Sequence, residues 1–260
     1  MYSVREILEK AAKKEISIEE AEGLLRFLAV EEVCDLAKID FNREFRKGIP
    51  EIILAEGKET ADIIEISKRM LSKSGRAIIS RCNKEQIGTF KQDFPKGNNL
   101  LVNEKARLVV IKTLDFAIKK TGGKIGIVTA GTSDIPVAEE AKIIAEEMGC
   151  EVYSVYDVGV AGLHRLLQPI KDMILKEIDV IIVVAGREGA LASVVSGMVD
   201  VPVIAVPTSN SFGFGEKGLA ALMSMLQSCS LGLAVVNIDG GVAAGAMATL
   251  IANRVSKFRK

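Results

Sequence analysis

From Lys124 onward the chain repeats one pattern five times: a short apolar run, then a longer segment with helical periodicity. The runs are Ile125–Thr129, Glu151–Val155, Val180–Ala185, Val203–Val206 and Leu233–Ile238. Between them lie Pro136–Met148, Leu163–Lys176, Ala190–Val199 and Lys217–Leu226, and Val242–Val255 closes the chain. Strands built almost wholly of Val, Ile and Ala have no polar face for water, so both faces must be covered. Alternation with helices then selects a parallel sheet joined by right-handed crossovers. The pattern predicts an α/β fold: a doubly wound, flavodoxin-like three-layer αβα sandwich over residues 121–260. Ligands in such sheets bind beyond the carboxyl ends of the strands, so the loops that follow each strand are where chemistry is sought.

Residues 1–120 have a different texture, densely and evenly charged. Ser17-Ile18-Glu19-Glu20 reads as a capping box, with apolar residues following at helical spacing through Leu28. A helical hairpin, Val4 to Lys13 and Ile18 to Phe27, is expected. Beyond it, Ile52-Ile53-Leu54, Ala77-Ile78-Ile79 and Leu108–Ile111 read as strands and Thr60–Leu71 as a helix. This makes a smaller α+β region ahead of the sandwich.

Basic and acidic residues number 34 each, interspersed, for a net charge of zero. That argues against broad attraction to nucleic acid or anionic membrane. The N-terminus has no signal-peptide core, and no apolar run is long enough to span a bilayer. Four widely spaced cysteines make neither a disulfide framework nor a zinc pattern. A reducing cytoplasm is the expected setting, with neither nucleic-acid nor membrane partners.

Each strand-end loop carries candidate residues. Gly131-Thr132-Ser133-Asp134 leads into a helix with Pro136 near its first turn, and exposed amides with two hydroxyls suit a phosphate. Asp134 reads equally well as an N-cap. The Gly-Lys-Ser/Thr ending of a P-loop is absent. The second loop ends in His164-Arg165. His164 is the single histidine and a proton carrier at neutral pH, while Arg165 offers a bidentate fork for phosphate or carboxylate, or is simply solvated. In the third, Gly186 and Gly189 flank Arg187-Glu188 and allow close backbone approach. Glu188 is a candidate base or metal ligand, or a charge set against the following helix dipole. The fourth, from Thr208 and Ser209 through the glycine-dense Ser211-Phe212-Gly213-Phe214-Gly215, has the length and glycines of a mobile or ligand-hugging loop. Asp239, after the last strand, is structural, or orients a ribose or metal. Cys34 and Cys150 read as apolar fillers. Cys82 is indeterminate. Cys229, in Gln227-Ser228-Cys229-Ser230, stands between packing and nucleophilic catalysis on position alone.

These motifs carry a resemblance. The segment Gly122–Gly245 is similar to the LarB family, the pyridinium-3,5-biscarboxylic acid mononucleotide synthases of nickel-pincer cofactor biosynthesis. It rests on Lys124–Asp134, Val158–Arg165, Glu188-Gly189-Ala190-Leu191, Ser228-Cys229 and Val235–Asp239. Asp40, Arg43, Arg46, Gly48, Pro50, Glu51 and Gly57-Lys58 resemble that family's N-terminal signature. The C-terminal half also resembles the PurE family, which acts on an aminoimidazole ribonucleotide. The chain departs from the LarB pattern at Gly240-Gly241, Leu231, Arg187 and the loop Asn210–Gly218.

The resemblance implies an enzyme that takes nicotinic acid adenine dinucleotide and CO2 or bicarbonate. It would carboxylate the pyridinium ring at C5 and hydrolyse the phosphoanhydride to release AMP. Cys229 would be the thiolate that adds to ring C4, which makes C5 nucleophilic. A thiol of ordinary pKa needs the substrate's positive charge to ionise readily. Glu188 would remove the C5 proton or activate water. Ser133, Asp134, His164 and Arg165 would hold ribose and phosphate. Mg2+ would neutralise the pyrophosphate, with Asp239 a candidate ligand and no organic prosthetic group. Arg43, Arg46 and Lys58 would meet substrate carboxylate or AMP, or form a solvated basic face. A homo-oligomer is implied, the octamer being the PurE form. Two alternatives stand beside this: a PurE-like carboxylase or mutase, which needs no cysteine, and a nucleotide-binding module without turnover.

Overall fold

The structure is a computed structural model that describes residues 4–25, 31–33, 37–94 and 97–259. Cys34, Leu28 and the last two residues of the helix expected to end at Phe27 lie outside them. The chain divides into two compact units, Met1–Leu101 with Val109–Phe116 and Val102–Leu108 with Ala117–Lys260.

In chain order the first elements are α1 (Val4–Ala12), α2 (Ile18–Leu25), the antiparallel pair β1 (Glu31–Val33) and β2 (Ala37–Ile39), and α3 (Arg43–Lys47). After them come β3 (Ile52–Leu54), α4 (Thr60–Ser74), β4 (Arg76–Ser80), α5 (Lys84–Asp93), β5 (Asn98–Asn103) and β6 (Leu108–Thr113). The Ser17–Glu20 capping box forms in both directions, at 3.0 and 2.9 Å. β3, β4, β6 and β5 make a four-stranded sheet in that order, with β3 parallel and β6 antiparallel to β4. α3, α5, β1, β2 and β5 are additions to the sequence reading. α5 begins at an Asn83–Gln86 capping box, but Gln86, Ile87 and Phe90 alone form its buried face, too few to show periodicity.

The second unit contains β7 (Lys124–Thr129), α6 (Ile135–Glu147), β8 (Glu151–Val155), α7 (His164–Leu175), β9 (Val180–Ala185), α8 (Ala190–Ser196), β10 (Val203–Pro207), α9 (Leu219–Leu226), β11 (Leu233–Val235) and α10 (Gly241–Ser256). The sheet order is β11-β10-β9-β7-β8, every pair parallel. This is the flavodoxin-like order, with its switch point between β7 and β9. Alternate residues of each strand serve opposite faces. In β9, Ile181, Val183 and Ala185 pack with Leu166, Ile170 and Met173 of α7 and Leu191 and Val195 of α8. Val180, Ile182 and Val184 pack with Ala138, Ala141 and Ala145 of α6 and Ala244, Ala248 and Ala252 of α10. The three-layer αβα sandwich follows from this two-sided burial.

Several expected boundaries move: α8 ends at Ser196 rather than Val199, and α4 runs to Ser74 rather than Leu71. The last strand stops at Val235 rather than Ile238. Beyond it the chain turns back on itself, with Gly240 N–H donating to Asn237 O at 3.0 Å and Asp239 at φ 55°. α9 starts at Leu219 rather than Lys217, because Gly218 holds φ 95° and Lys217 φ 48°.

Candidate active site

The carboxyl ends of β7, β9 and β10 open into a cavity of about 1060 Å³. Gly131, Ser133 and Asp134 line it from the β7 loop; Gly159 and Arg165 from the β8 side; Gly186, Arg187 and Glu188 from the β9 loop; and Ser209, Asn210, Phe212 and Phe214 from the β10 loop. It sits at the switch point, where the strand order reverses and the flanking loops diverge.

Glycine permits the close approach of these loops. A Cβ on Gly186 would meet Thr208 Oγ1 at 2.7 Å and the Asn210 carbonyl at 2.9 Å. One on Gly159 would meet the Ala130 carbonyl at 2.6 Å. Non-glycine residues in the loops that follow the strands also take left-handed backbone: Asp157 (φ 60°), Arg187 (φ 56°), Glu216 (φ 31°), Lys217 (φ 48°) and Asp239 (φ 55°). Such conformations persist where the surroundings over-determine them, and they concentrate at functional sites.

Asp134 is the tie between the loops. Only 4% of it is exposed. Its carboxylate accepts the Thr208 hydroxyl at 2.7 Å and the Gly131 amide at 2.9 Å. Burial pushes its carboxyl above the ordinary range, against the lowering effect of bonds from Thr208, Gly131 and Gly186; the nearby Asp239 charge adds to the rise. Asp134 makes no side-chain cap of α6, so the simple N-cap reading is corrected: its oxygens turn back to the β7 loop and across to β10. Thr208 is fully buried, bonded to Asp134, and belongs to the framework under the cavity. Asn210 Nδ2 donates to the Ser133 carbonyl at 2.6 Å, a second bridge between the same loops.

The remaining candidates divide. Glu188 is exposed and faces the cavity. Arg165 lines it too, with one guanidinium nitrogen 2.9 Å from Asp157 Oδ2. Thr132, Gly189 and His164 are outside the lining, His164 being exposed at the first residue of α7. Gly189 is the left-handed residue (φ 67°) from which α8 starts. Asp239 lies behind the rim, its Oδ1 accepting the Ser209 amide at 2.9 Å. In the N-terminal unit Arg43 pairs with Glu51 at 3.2 Å, Arg46 with Asp40, and Lys58 donates to the Leu54 carbonyl at 2.9 Å. Arg43 and Arg46 are half-buried in these pairs, while Lys58 is exposed. Their partners lie on or beside α3 and β3 within the same unit.

Cys229 requires a correction of position. It is exposed in the connection from α9 to β11, which meets the sheet where its strands begin. Gly232 O accepts the Val203 amide at the start of β10, whereas Thr208 follows the end of that strand. Five residues of β10 separate the two levels, or about 16 Å at ~3.3 Å per residue. The expectation that Cys229 joins Glu188, His164 and Asp239 at one rim fails within a single chain, because an αβ connection emerges on the edge opposite a βα loop. The Cys229 segment is well anchored all the same. Ser193 of α8 donates to Ser228 Oγ at 2.8 Å, and Ser230 Oγ donates to the Ser193 carbonyl at 2.8 Å.

The described residues form no all-protein metal cage. Among the described residues no three His, Cys, Asp or Glu side chains converge. Both Asp134 oxygens and Asp239 Oδ1 are engaged by protein donors. Among the described residues no helix is long and apolar enough to cross a membrane.

Sequence reasoning passed over Phe212, Phe214, Arg187 and Asn210 as lining residues. The signal for the first two was present: two phenylalanines among glycines, in a chain with 5% aromatic residues.

Comparison with known proteins adds the lineage. Residues 124–258 match the AIR carboxylase family, and residues 30–113 match the LarB/PurE-like N-terminal domain. An uncharacterised protein of Methanocaldococcus jannaschii is 44% identical over 259 residues, 98% of this chain and 99% of that protein. The N5-carboxyaminoimidazole ribonucleotide mutase of Thermotoga maritima is 31% identical over 133 residues, 49% of this chain and 74% of that enzyme. The mutase of Pyrococcus horikoshii is 31% identical over 141 residues, 52% of this chain and 76% of that enzyme.

Proposed function

The chain belongs to the LarB family, with an AIR carboxylase-type C-terminal domain, and from that premise we propose that it carboxylates the pyridinium ring of nicotinic acid adenine dinucleotide and releases AMP. The observation that carries this is the strand-end cavity, where Glu188 faces the Gly131–Asp134 loop across the switch point. A phosphate suits the amides and Ser133 hydroxyl ahead of α6, with Arg165 as counter-charge. Glu188 then stands over the ring.

A pyridinium ring is electron-poor and cannot attack CO2. A thiolate that adds to C4 donates its electron pair to the ring and leaves an enamine whose C5 is nucleophilic. C5 bonds to CO2, Glu188 takes the C5 proton, and the ring regains aromaticity as the thiolate departs with its electron pair. Water then attacks the phosphoanhydride, which yields AMP and the dicarboxylated mononucleotide. No step runs through a metal. Cys229 supplies the thiolate. Because Cys229 and Glu188 occupy opposite edges of one sheet, the thiol belongs to a neighbouring protomer, and a homo-oligomer is part of the proposal.

Two inactive variants test this together. Cys229→Ser and Glu188→Gln should each lose at least about 10³-fold in turnover. Co-refolded at equal amounts, they should recover about one quarter of wild-type activity, since random assembly pairs an intact Glu188 with a neighbour's intact Cys229 at one site in four. Inactivity of the mixture means that both residues act within one chain. The relatives named as ribonucleotide mutases favour a second reading, an aminoimidazole ribonucleotide substrate. That ring is already nucleophilic, so full activity of Cys229→Ser supports it instead.

A further inference from the structure

We propose that Phe212 and Phe214 form a stacking subsite for a purine ring at the mouth of the cavity. This deepens the dinucleotide reading by assigning the adenine a place. Both side chains line the cavity, and both are exposed, Phe212 at 73% and Phe214 at 102%. A phenyl ring left in water forgoes a large burial, and a flat partner recovers it. The loop that carries them is anchored at its base. Gly218 (φ 95°) passes so close to Thr208 that a Cβ would stand 2.6 Å from its carbonyl, and one on Gly215 would stand 2.6 Å from Ser211 Oγ. Glu216 and Lys217 hold left-handed backbone between those two glycines.

The surroundings select a nucleobase over an aliphatic side chain. The Arg187 guanidinium lies 3.8 Å from the Phe212 ring centroid, so one face of that ring is already covered by a cation. Asn210 and Ser211 line the same mouth, and supply donors and acceptors for a polar ring edge. Arg187 and Arg165 leave positive charge beside the stack, as a phosphate tethered to the base requires. A purine nucleotide satisfies all three conditions at once: a π face, a polar edge and an anion. An apolar residue from a second copy satisfies only the first.

The test is binding, which keeps it independent of turnover. AMP and ribose 5-phosphate are titrated calorimetrically into the full-length wild type, Phe212→Ala, Phe214→Ala and Phe214→Trp. Each alanine variant should weaken AMP about thirtyfold, the middle of the range for a base on an aromatic ring, and leave ribose 5-phosphate within about twofold. Phe214→Trp should keep AMP affinity, and AMP should quench its emission, since the chain has no other tryptophan. Equal loss for both ligands, no loss for either, or no AMP binding by wild type overturns the proposal. So does unchanged AMP binding with a smaller particle on size exclusion, which would make the phenyls an interface between copies. A chain that binds AMP in this pattern yet forms no product defeats the carboxylation and leaves the subsite standing.

Discussion

Burial of Asp134 among three loops raises its carboxyl above the ordinary range, the Thr208, Gly131 and Gly186 bonds notwithstanding. A carboxyl raised by folding binds its proton more tightly in the native state than in the unfolded chain. The burden of a buried charge is thus present above the folded-state value, and it disappears as the pH falls toward the unfolded one. Asp134→Asn removes that burden and keeps one donor–acceptor pair with Thr208 and Gly131. Melting both proteins at about pH 7 and about pH 4.5 should therefore show wild type gaining on the variant at the lower pH. A difference that does not change with pH contradicts this account of Asp134. Little of it was legible beforehand, since a Ser-Asp pair before a helix reads as a cap, and only the fold reveals Thr208 across the loop. The Cys229 misplacement has a related origin. Nearness in sequence to a strand says nothing until one asks which end of the strand it is.

At the scale of elements, the inner strands β9 and β10 were readable because each is apolar throughout and covered on both faces, while the edge strand β8 is half-buried and was marked by its place in the alternation. Glu151–Val155 and Val180–Ala185 end where the sequence pattern ends them. Elements without a strong period were not readable: β5, with three asparagines in six residues, and α3, which is only five residues long. α3 carries Arg43, Arg46 and Glu44, which pair with Glu51, Asp40 and Arg76. The crossing of α6 and α10 offers a sharper test. A Cβ on Gly245 would stand 2.5 Å from the Ala141 carbonyl. Alanine is the better helix former by ~1 kcal/mol, but overpacking against backbone typically costs ~1–3 kcal/mol. Gly245→Ala should therefore lower stability in urea denaturation, and a gain would mean that the helices part without strain.

For the molecule as a whole, the chain divides into two compact units, the second of which takes in Val102–Leu108, and two family models match residues 30–113 and 124–258. The sandwich sets its cavity at one edge of the sheet and Cys229 at the other, which makes a lone protomer chemically incomplete for thiol-assisted carboxylation. In the proposed mechanism, assembly supplies what the fold separates. The central claim is the reaction itself. Wild-type protein incubated with nicotinic acid adenine dinucleotide and 13C-bicarbonate, then analysed by mass spectrometry, should yield AMP and a mononucleotide that carries one labelled carboxyl group. Intact dinucleotide, with neither product, would contradict it.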